Sequence, residues 1–429
     1  MFTLQYLSDI IKEGFLQNKQ LIKKESIYND SKLLIKKEVH FMCAAGKKFT
    51  LELPLKVILT ENGASHFLSR NVKLNRFRLA DNVEEYGISL NKFTPRSLQN
   101  MIRMDYVSKM EISMSEFVSK RQEIMDLSKL IVFTILYRQF DREIYSKLIQ
   151  CDCVRKHNRA NPKQLIDENT HIDQKQLRNA LAVTEATLKA TFKSILEPVW
   201  DSITENQEST TEEKNVYILM TEKFLNELGL MNKYIITKFC KAEGFSQMLN
   251  AIRQQLLDYM ERSKVAEYVS LNVMELALNC ENTNMRKAAK IMYPNEDDVN
   301  MLLFDPEIRA KIVEQLQLKH ELVFISWKLG GGSTAIGKQG RLQVTLYNKD
   351  DEFQEVKANI EDKASADTNK RSLIDFYRDL PEDQGGNDLG MYYLSYLDEA
   401  CKKVNVKFES LVNQFSSSDL TVINLILNF

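Results

Sequence analysis

The spacing of apolar side chains divides the chain into three stretches, and the first mixes helix and strand. Residues 1–29 carry apolar side chains at helical spacing. Two β-favouring runs follow, 33–43 and 49–59, with a short turn between them, and together they predict a hairpin. Pro54 would place the second strand at a sheet edge or at a bulge. We predict a small mixed α/β domain over residues 1–97.

The middle stretch, residues 98–262, has apolar side chains at three- and four-residue spacing, which is typical of amphipathic helices. Asn161-Pro162, Pro198 and the polar run 206–214 divide it into several helices. We predict a helical bundle, whose long helices also offer a surface for a homodimer or for another protein partner.

The last stretch, residues 263–429, alternates between the two periodicities. It predicts helices at 264–291, after Pro306 and at 389–403, and strands at 322–328, 341–348, 404–410 and 420–429. The final run is apolar on both faces, which is typical of an interior strand. We predict an α/β sandwich here. The fold class is then α+β, with an N-terminal mixed α/β unit, a central helical bundle and this C-terminal sandwich.

Charge and cysteine content narrow the classes of function. The 58 Lys and Arg residues nearly cancel the 59 Asp and Glu residues, so a non-specific nucleic-acid binder is not expected. The sequence contains no apolar run of about 20 residues, the length that a membrane helix needs. Six cysteines spread over 429 residues do not form a secreted disulfide framework. We therefore expect a cytoplasmic protein that binds neither nucleic acid nor membrane.

Two features in the last stretch suggest phosphate chemistry. Glu275 and Asn279 are four residues apart on a predicted helix, so their side chains project from one face. Carboxylate and amide oxygens are hard ligands that suit Mg²⁺. Further along, Gly385, Gly386 and Gly390 stand where the helix at 389–403 begins. Glycines at such a place let backbone N–H groups approach a phosphate.

The segment Glu-Leu-Ala-Leu-Asn that ends at Asn279 resembles the N-box of the GHKL ATPase superfamily, which includes gyrase, heat-shock protein 90 and histidine kinases. The segment 384–394 is similar to the glycine-rich lid of that superfamily. The resemblance covers residues 264–429 and implies a degenerate histidine kinase-like ATPase domain over 263–429. The helical body followed by this domain also looks like a poorly characterised bacterial group of GHKL-like proteins.

The resemblance implies a signalling or regulatory protein that binds ATP or ADP with Mg²⁺. It implies that Asn279 holds the Mg²⁺ that bridges the phosphates and that Glu275 polarises water. It also implies that Gly385, Gly386 and Gly390 form the phosphate lid. The activity expected from such a domain is at most a weak ATPase or a histidine kinase-like activity.

Other residues depart from the pattern of the superfamily. After the strand at 341–348, the adenine-reading sequence Asp-x-Gly-x-Gly is missing, and Asn348 stands there with a carbonyl that can accept from an amino group. Glu281 places a carboxylate near the expected phosphates, which repels them unless Mg²⁺ intervenes. The alternative function is therefore a non-catalytic interaction scaffold that has lost nucleotide binding.

Three further motifs have simpler explanations. Residues 332–338 spell most of a phosphate-binding loop, but a strand follows them where a helix is needed, so we expect a hairpin loop. His157 begins the pattern His-x-x-x-Asn-Pro of a kinase phosphoacceptor, with an exposed polar turn as the alternative. Cys151, Cys153 and His157 are zinc-ligand types, but their spacing matches no standard site, so a cysteine pair in a loop is expected.

Overall fold

One antiparallel sheet of nine strands organises the part of the chain that the structure, a computed structural model, describes. That part comprises residues 50–207, 209–296, 298–330, 340–349, 368–372, 387–415 and 420–429. The strands are β1 (Leu55–Leu59), β2 (Asn75–Arg78), β3 (Glu84–Leu90), β4 (Val107–Met114), β5 (Val323–Gly330), β6 (Arg341–Lys349), β7 (Thr368–Ser372), β8 (Lys407–Phe415) and β9 (Leu420–Asn428). Their order across the sheet is β2-β3-β1-β4-β5-β6-β9-β8-β7.

Among the described residues, helices lie in four of the connections between these strands. They are α1 (Glu61–Leu68), α2 (Pro95–Arg103), α3 (Arg121–Gln150), α4 (Asp152–Ala160), α5 (Gln174–Val183), α6 (Glu185–Glu205), α7 (Thr211–Glu227), α8 (Leu230–Phe239), α9 (Phe245–Ser263), α10 (Val265–Met292), α11 (Val299–Leu302), α12 (Pro306–Leu318) and α13 (Asn387–Lys403). Local signals explain several of the boundaries. Thr210 and Glu213 form a reciprocal capping box at the start of α7, and Asp305 caps α12 ahead of Pro306.

The helical layer packs on one face of the sheet. Met110, Trp327, Val344 and Leu425 are paired in register across β4, β5, β6 and β9, and each is fully buried. In an antiparallel sheet, directly opposed residues share a face. These side chains belong to one hydrophobic core with residues of α3 and α10, and α10 also packs against α13 and α12. The sheet and the two long helices therefore share a single core.

The α+β class is confirmed, as are most elements of the last stretch. α10, β5, β6, α13 and β9 occur within a few residues of their predicted limits. β9 lies between β6 and β8, as its two apolar faces predict. The predicted helix at 1–29, the first strand of the predicted hairpin, the loop 331–339 and the glycines at 385 and 386 lie outside the described residues.

Two expectations from the first half of the chain are wrong. β1 lies between β3 and β4, so Pro54 does not mark an edge strand, and the register shift in β1 falls between Ile58 and Leu59, away from the proline. Pro54 immediately precedes the strand, where its missing N–H interrupts no ladder. Residues 107–114, which were expected to be helical, form β4. Polar Lys109 and Glu111 alternate there with apolar Met110 and Ile112, a strand pattern too short to stand out beside the long helices.

The sheet also runs across all three predicted domains, because β1 pairs with β4 and β4 pairs with β5. β4 pairs with β5 over six residues, from Lys109 opposite Lys328 to Met114 opposite Val323. α2 spans the predicted boundary at residues 97 and 98. Thr50–Phe429 groups as one unit by its internal contacts. The division of the chain into domains at 1–97, 98–262 and 263–429 stays a prediction.

Candidate functional site

The pairing of α10 with α13 decides where the predicted nucleotide residues lie. The rings of Tyr268 and Tyr396 stack with their centroids 6.3 Å apart, and the Asn272 side-chain amide donates to the Tyr393 carbonyl oxygen at 2.9 Å. The contact moves from Tyr396 back to Tyr393 on α13 as it moves forward from Tyr268 to Asn272 on α10. The two helices are therefore antiparallel. At 1.5 Å per residue, Asn279 then lies level with the beginning of α13.

Gly390 is the fourth residue of α13, within its first turn. Seven residues separate Asn272 from Asn279, and six separate Tyr393 from the first residue of α13. The fold therefore brings Asn279 and Gly390 to the same end of an antiparallel helix pair. A helix beginning presents N–H groups that are not bonded within the helix, together with the positive end of its dipole.

Glu275 lies one turn before Asn279 and is half-buried. Burial raises the pKa of its carboxyl group, and the positive charge of Arg121, at the start of α3, opposes part of that rise. The carboxyl group therefore holds its proton to a higher pH than an exposed glutamate would. A carboxylate with a raised pKa is a stronger base, which suits the polarisation of water that the resemblance implies for Glu275.

Asn348 lies at the end of β6, and its surroundings differ from those of a residue that faces a ligand. The side chain is only 4% exposed. Its Oδ1 atom accepts a hydrogen bond from Asn284 Nδ2 at 3.0 Å, within the buried layer between the sheet and α10. This carbonyl oxygen was expected to accept a hydrogen bond from an adenine amino group. It accepts one from a side chain of α10 instead.

We expect the variant Asn348→Ala to be less stable by about 1–3 kcal/mol, because Asn284 would be left with a buried amide that has lost its partner. Urea denaturation measures this loss. The control is the double variant Asn284→Leu/Asn348→Leu, in which neither amide remains and the loss is expected to be smaller. If Asn348→Ala is as stable as the wild type but loses affinity for a nucleotide, the side chain faces the ligand and the contact with Asn284 is unimportant.

Glu281 is also used within the fold. Its side chain is fully buried, one carboxylate oxygen accepts from the backbone N–H groups of Phe117 and Val118, and the other pairs with Arg309 of α12. Burial raises the pKa of Glu281, whereas the two N–H groups and Arg309 lower it. The carboxylate therefore joins α10 to the loop before α3 and to α12, and does not face the expected phosphates.

His157 lies in α4 and not in an exposed turn, so that alternative is corrected. Its Nε2 atom is 3.3 Å from Lys238 Nζ, its Nδ1 atom is 3.2 Å from Asn161 Nδ2, and its ring packs edge-on against Phe239. Desolvation and the charge of Lys238 lower the pKa of His157. The helix continues through His157 to Ala160, because the Asn-Pro pair lies beyond its last residue.

The cysteine pair was expected in a loop, but it lies at the beginning of α4. Cys151 and Cys153 are buried reduced thiols at the start of α4, and burial raises the pKa of Cys151 to about 11. A buried thiol with a raised pKa is a poor nucleophile and a poor metal ligand. Within the described ranges, no three His, Cys, Asp or Glu side chains are grouped so that they could hold a metal ion.

A polar row on the other face of the sheet was not predicted from the sequence. Lys56, Glu111, Ser326, Thr345 and Asn424 are paired in register across β1, β4, β5, β6 and β9. The Lys56 ammonium pairs with the Glu111 carboxylate at 3.0 Å, and the Thr345 hydroxyl donates to Asn424 Oδ1 at 2.9 Å. The signal for this row is the alternation at residues 109–112, which was hidden by the helical interpretation.

Comparison with known proteins places the chain in a family. The family model described as "Family of unknown function (DUF8084)" matches residues 46–429. The chain belongs to this family. The matched residues include all nine strands, so the whole described sheet belongs to the family's common region.

An uncharacterized protein of Treponema pallidum (strain Nichols) is 38% identical to this chain over 389 residues. That match covers 90% of this chain and 100% of the relative. No solved structure matches the chain significantly. Within the described residues, no helix is both long enough and apolar enough to cross a membrane. Neither the description of the family nor that of the relative names a ligand or an activity.

Proposed function

We propose that the chain is a cytoplasmic signalling or regulatory protein that binds ATP or ADP with Mg²⁺ where α10 meets the beginning of α13. The observation that carries this proposal is the antiparallel register of the two helices, which brings Asn279 level with the first turn of α13 and Gly390. An amide oxygen beside N–H groups at a helix beginning suits a phosphate-bound Mg²⁺.

Each residue of the proposed nucleotide site has its own role. Asn279 holds the Mg²⁺ through the phosphates, the lid at Gly385, Gly386 and Gly390 covers them, and Glu275 polarises a water molecule. Asn348 has its amide oxygen engaged by Asn284, which weakens the case for adenine recognition by this residue. The proposed activity is a weak ATPase or kinase-like activity at most, with His157 as the candidate phosphoacceptor.

Calorimetry with ATP, ADP and Mg²⁺ tests this function. We expect the wild type to bind and Asn279→Ala to lose at least about tenfold in affinity, which corresponds to about 1.4 kcal/mol. The matched control is Asn100→Ala, which changes an exposed asparagine on α2 and should bind as the wild type does. No heat and no thermal shift of the wild type with any nucleotide would contradict the proposal. Incubation with labelled ATP then tests phosphotransfer, and label that persists in His157→Ala would remove that residue.

The second candidate is a non-catalytic interaction scaffold that has lost nucleotide binding. The engagement of Asn348 and Glu281 within the fold favours it, because both side chains hold elements together where the resemblance would place a ligand. In that case the helical region from α3 to α9 mediates a homodimer or binds a protein partner. Analytical ultracentrifugation distinguishes a monomer from a dimer, and nucleotide should leave the result unchanged.

A further inference from the structure

The turn between β2 and β3 places a carboxylate over the polar row of the sheet. Asp81 Oδ2 lies 2.8 Å from the Lys109 ammonium, and the backbone N–H of Ala80 donates to Glu111 Oε2 at 3.1 Å. The Lys109 side chain is 8% exposed and the Asp81 side chain is 32% exposed. The lysine is thus fixed within the sheet, whereas the aspartate reaches it from the surface.

Lys109 has a second lysine as its direct neighbour. The register of β4 and β5 places Lys109 opposite Lys328, so both side chains project from the same face. Like charges directly opposed across two strands are destabilising unless an anion lies near them. Lys328 is exposed, and Asp81 supplies one negative charge to this pair of lysines.

Other groups near the lysines can donate hydrogen bonds. Gln343 is paired in register with Lys328 on β6, and Ser326 lies two residues before Lys328 on the same face. Tyr347, further along β6, has its pKa raised to about 12 by burial and by the charges of Asp81 and Glu111, so its hydroxyl stays protonated. The Gln343 amide already donates to Asn424 Oδ1 at 3.0 Å. The face therefore combines two ammonium groups with the hydroxyl groups of Ser326 and Tyr347.

We propose that Asp81 occupies a site for a phosphate group, and that phosphate binds between Lys109 and Lys328 after the aspartate turns outward to solvent. A phosphate monoester or inorganic phosphate carries about −1.5 to −2 charges at pH 7, whereas a carboxylate carries one. The phosphate therefore neutralises both lysines, whereas Asp81 neutralises one. The exposed side of Asp81 allows this exchange without a change in the sheet.

This site differs from the proposed nucleotide site. Lys109 and Lys328 project from the polar face of the sheet, whereas α10 packs on the opposite face, beside Met110 and Trp327. The two sites therefore have separate residues, and a variant of one should leave the other unchanged. Asn279→Ala is expected to leave phosphate affinity as it is in the wild type.

Calorimetry with inorganic phosphate and with glucose 6-phosphate, in a phosphate-free buffer of low ionic strength, tests the proposal. We expect weak binding to the wild type and about fivefold tighter binding to Asp81→Asn, because the competing carboxylate is gone. Lys109→Met should abolish binding, and the exposed substitution Lys328→Met should weaken it. Stronger binding of glucose 6-phosphate identifies a phosphate ester as the ligand, and equal binding identifies free phosphate.

The matched control is Glu84→Gln. Glu84 lies on β3 of the same hairpin and pairs with Arg76 at the surface, so this variant removes the same charge away from the lysines. Its phosphate affinity should equal that of the wild type. The proposal is overturned if Asp81→Asn binds no phosphate, or if Asp81→Asn and Glu84→Gln tighten binding equally. If Lys109→Met fails to fold, unchanged affinity in Lys328→Met overturns the proposal in its place.

Discussion

A segment containing only residues 263–429 is expected not to fold by itself. Without β4, one side of β5 loses its strand partner over six residue pairs, and an unpaired interior edge results. Without α3, which packs on α10, the core loses buried side chains such as Ile131 and Ile135. The segment should show no cooperative melting transition, and its NMR spectrum should be poorly dispersed. The full chain should melt cooperatively and give a well-dispersed spectrum.

The size of this effect follows from the side chains that would be exposed. Burial of one large apolar side chain contributes about 1.5–3 kcal/mol, and a whole domain is stable by only about 5–15 kcal/mol. Exposing a few such side chains of α10 and β5 is enough to unfold the segment. The longer segment 50–429 retains α3 and β4 together with β1, the other partner of β4, and should recover tertiary structure. A cooperative melt of 263–429 alone would establish the predicted third domain as an independent unit.

Local pattern was sufficient to predict most elements of the last stretch, although β7 was missed. α10 has a continuous apolar face and β9 is apolar on both faces, so each pattern is compatible with only one placement. β4 was missed because eight residues carry little periodic signal beside the 30-residue α3. The pairing of β4 with β5 joins residues more than 200 positions apart, and no local pattern encodes such a contact.

For the candidate site, too, the sequence predicted the features that lie within one helix but not those that depend on packing. The four-residue spacing of Glu275 and Asn279 predicts a shared helix face from the geometry of one helix. Their position beside the beginning of α13 depends on how two helices pack, which the contacts of Asn272 and Tyr268 establish. The same limit explains Glu281: its backbone partners at Phe117 and Val118 lie more than 160 residues earlier, so its sequence neighbours gave a misleading role.

We expect Glu281→Ala to cause the largest loss of stability of any single substitution considered. The fully buried carboxylate accepts from two backbone N–H groups and pairs with Arg309. Its removal leaves both N–H groups without this acceptor and leaves Arg309 paired only with Glu116. Breaking a buried ion pair in this way typically costs about 3–5 kcal/mol. Urea denaturation of the full chain measures the loss. Glu281→Gln should lose less, because the amide oxygen still accepts from the backbone and the buried charge is gone.

The same helix supplies a matched control. Glu267 on α10 pairs with Lys129 on α3, but its side chain is 56% exposed, so Glu267→Ala removes a solvated ion pair and should cost less than about 1 kcal/mol. A large loss in Glu281→Ala beside a small loss in Glu267→Ala would establish that the carboxylate at 281 joins α10 to α12 and to the loop before α3. Equal small losses would contradict that role, and would leave Glu281 available to face the phosphates as the sequence first suggested.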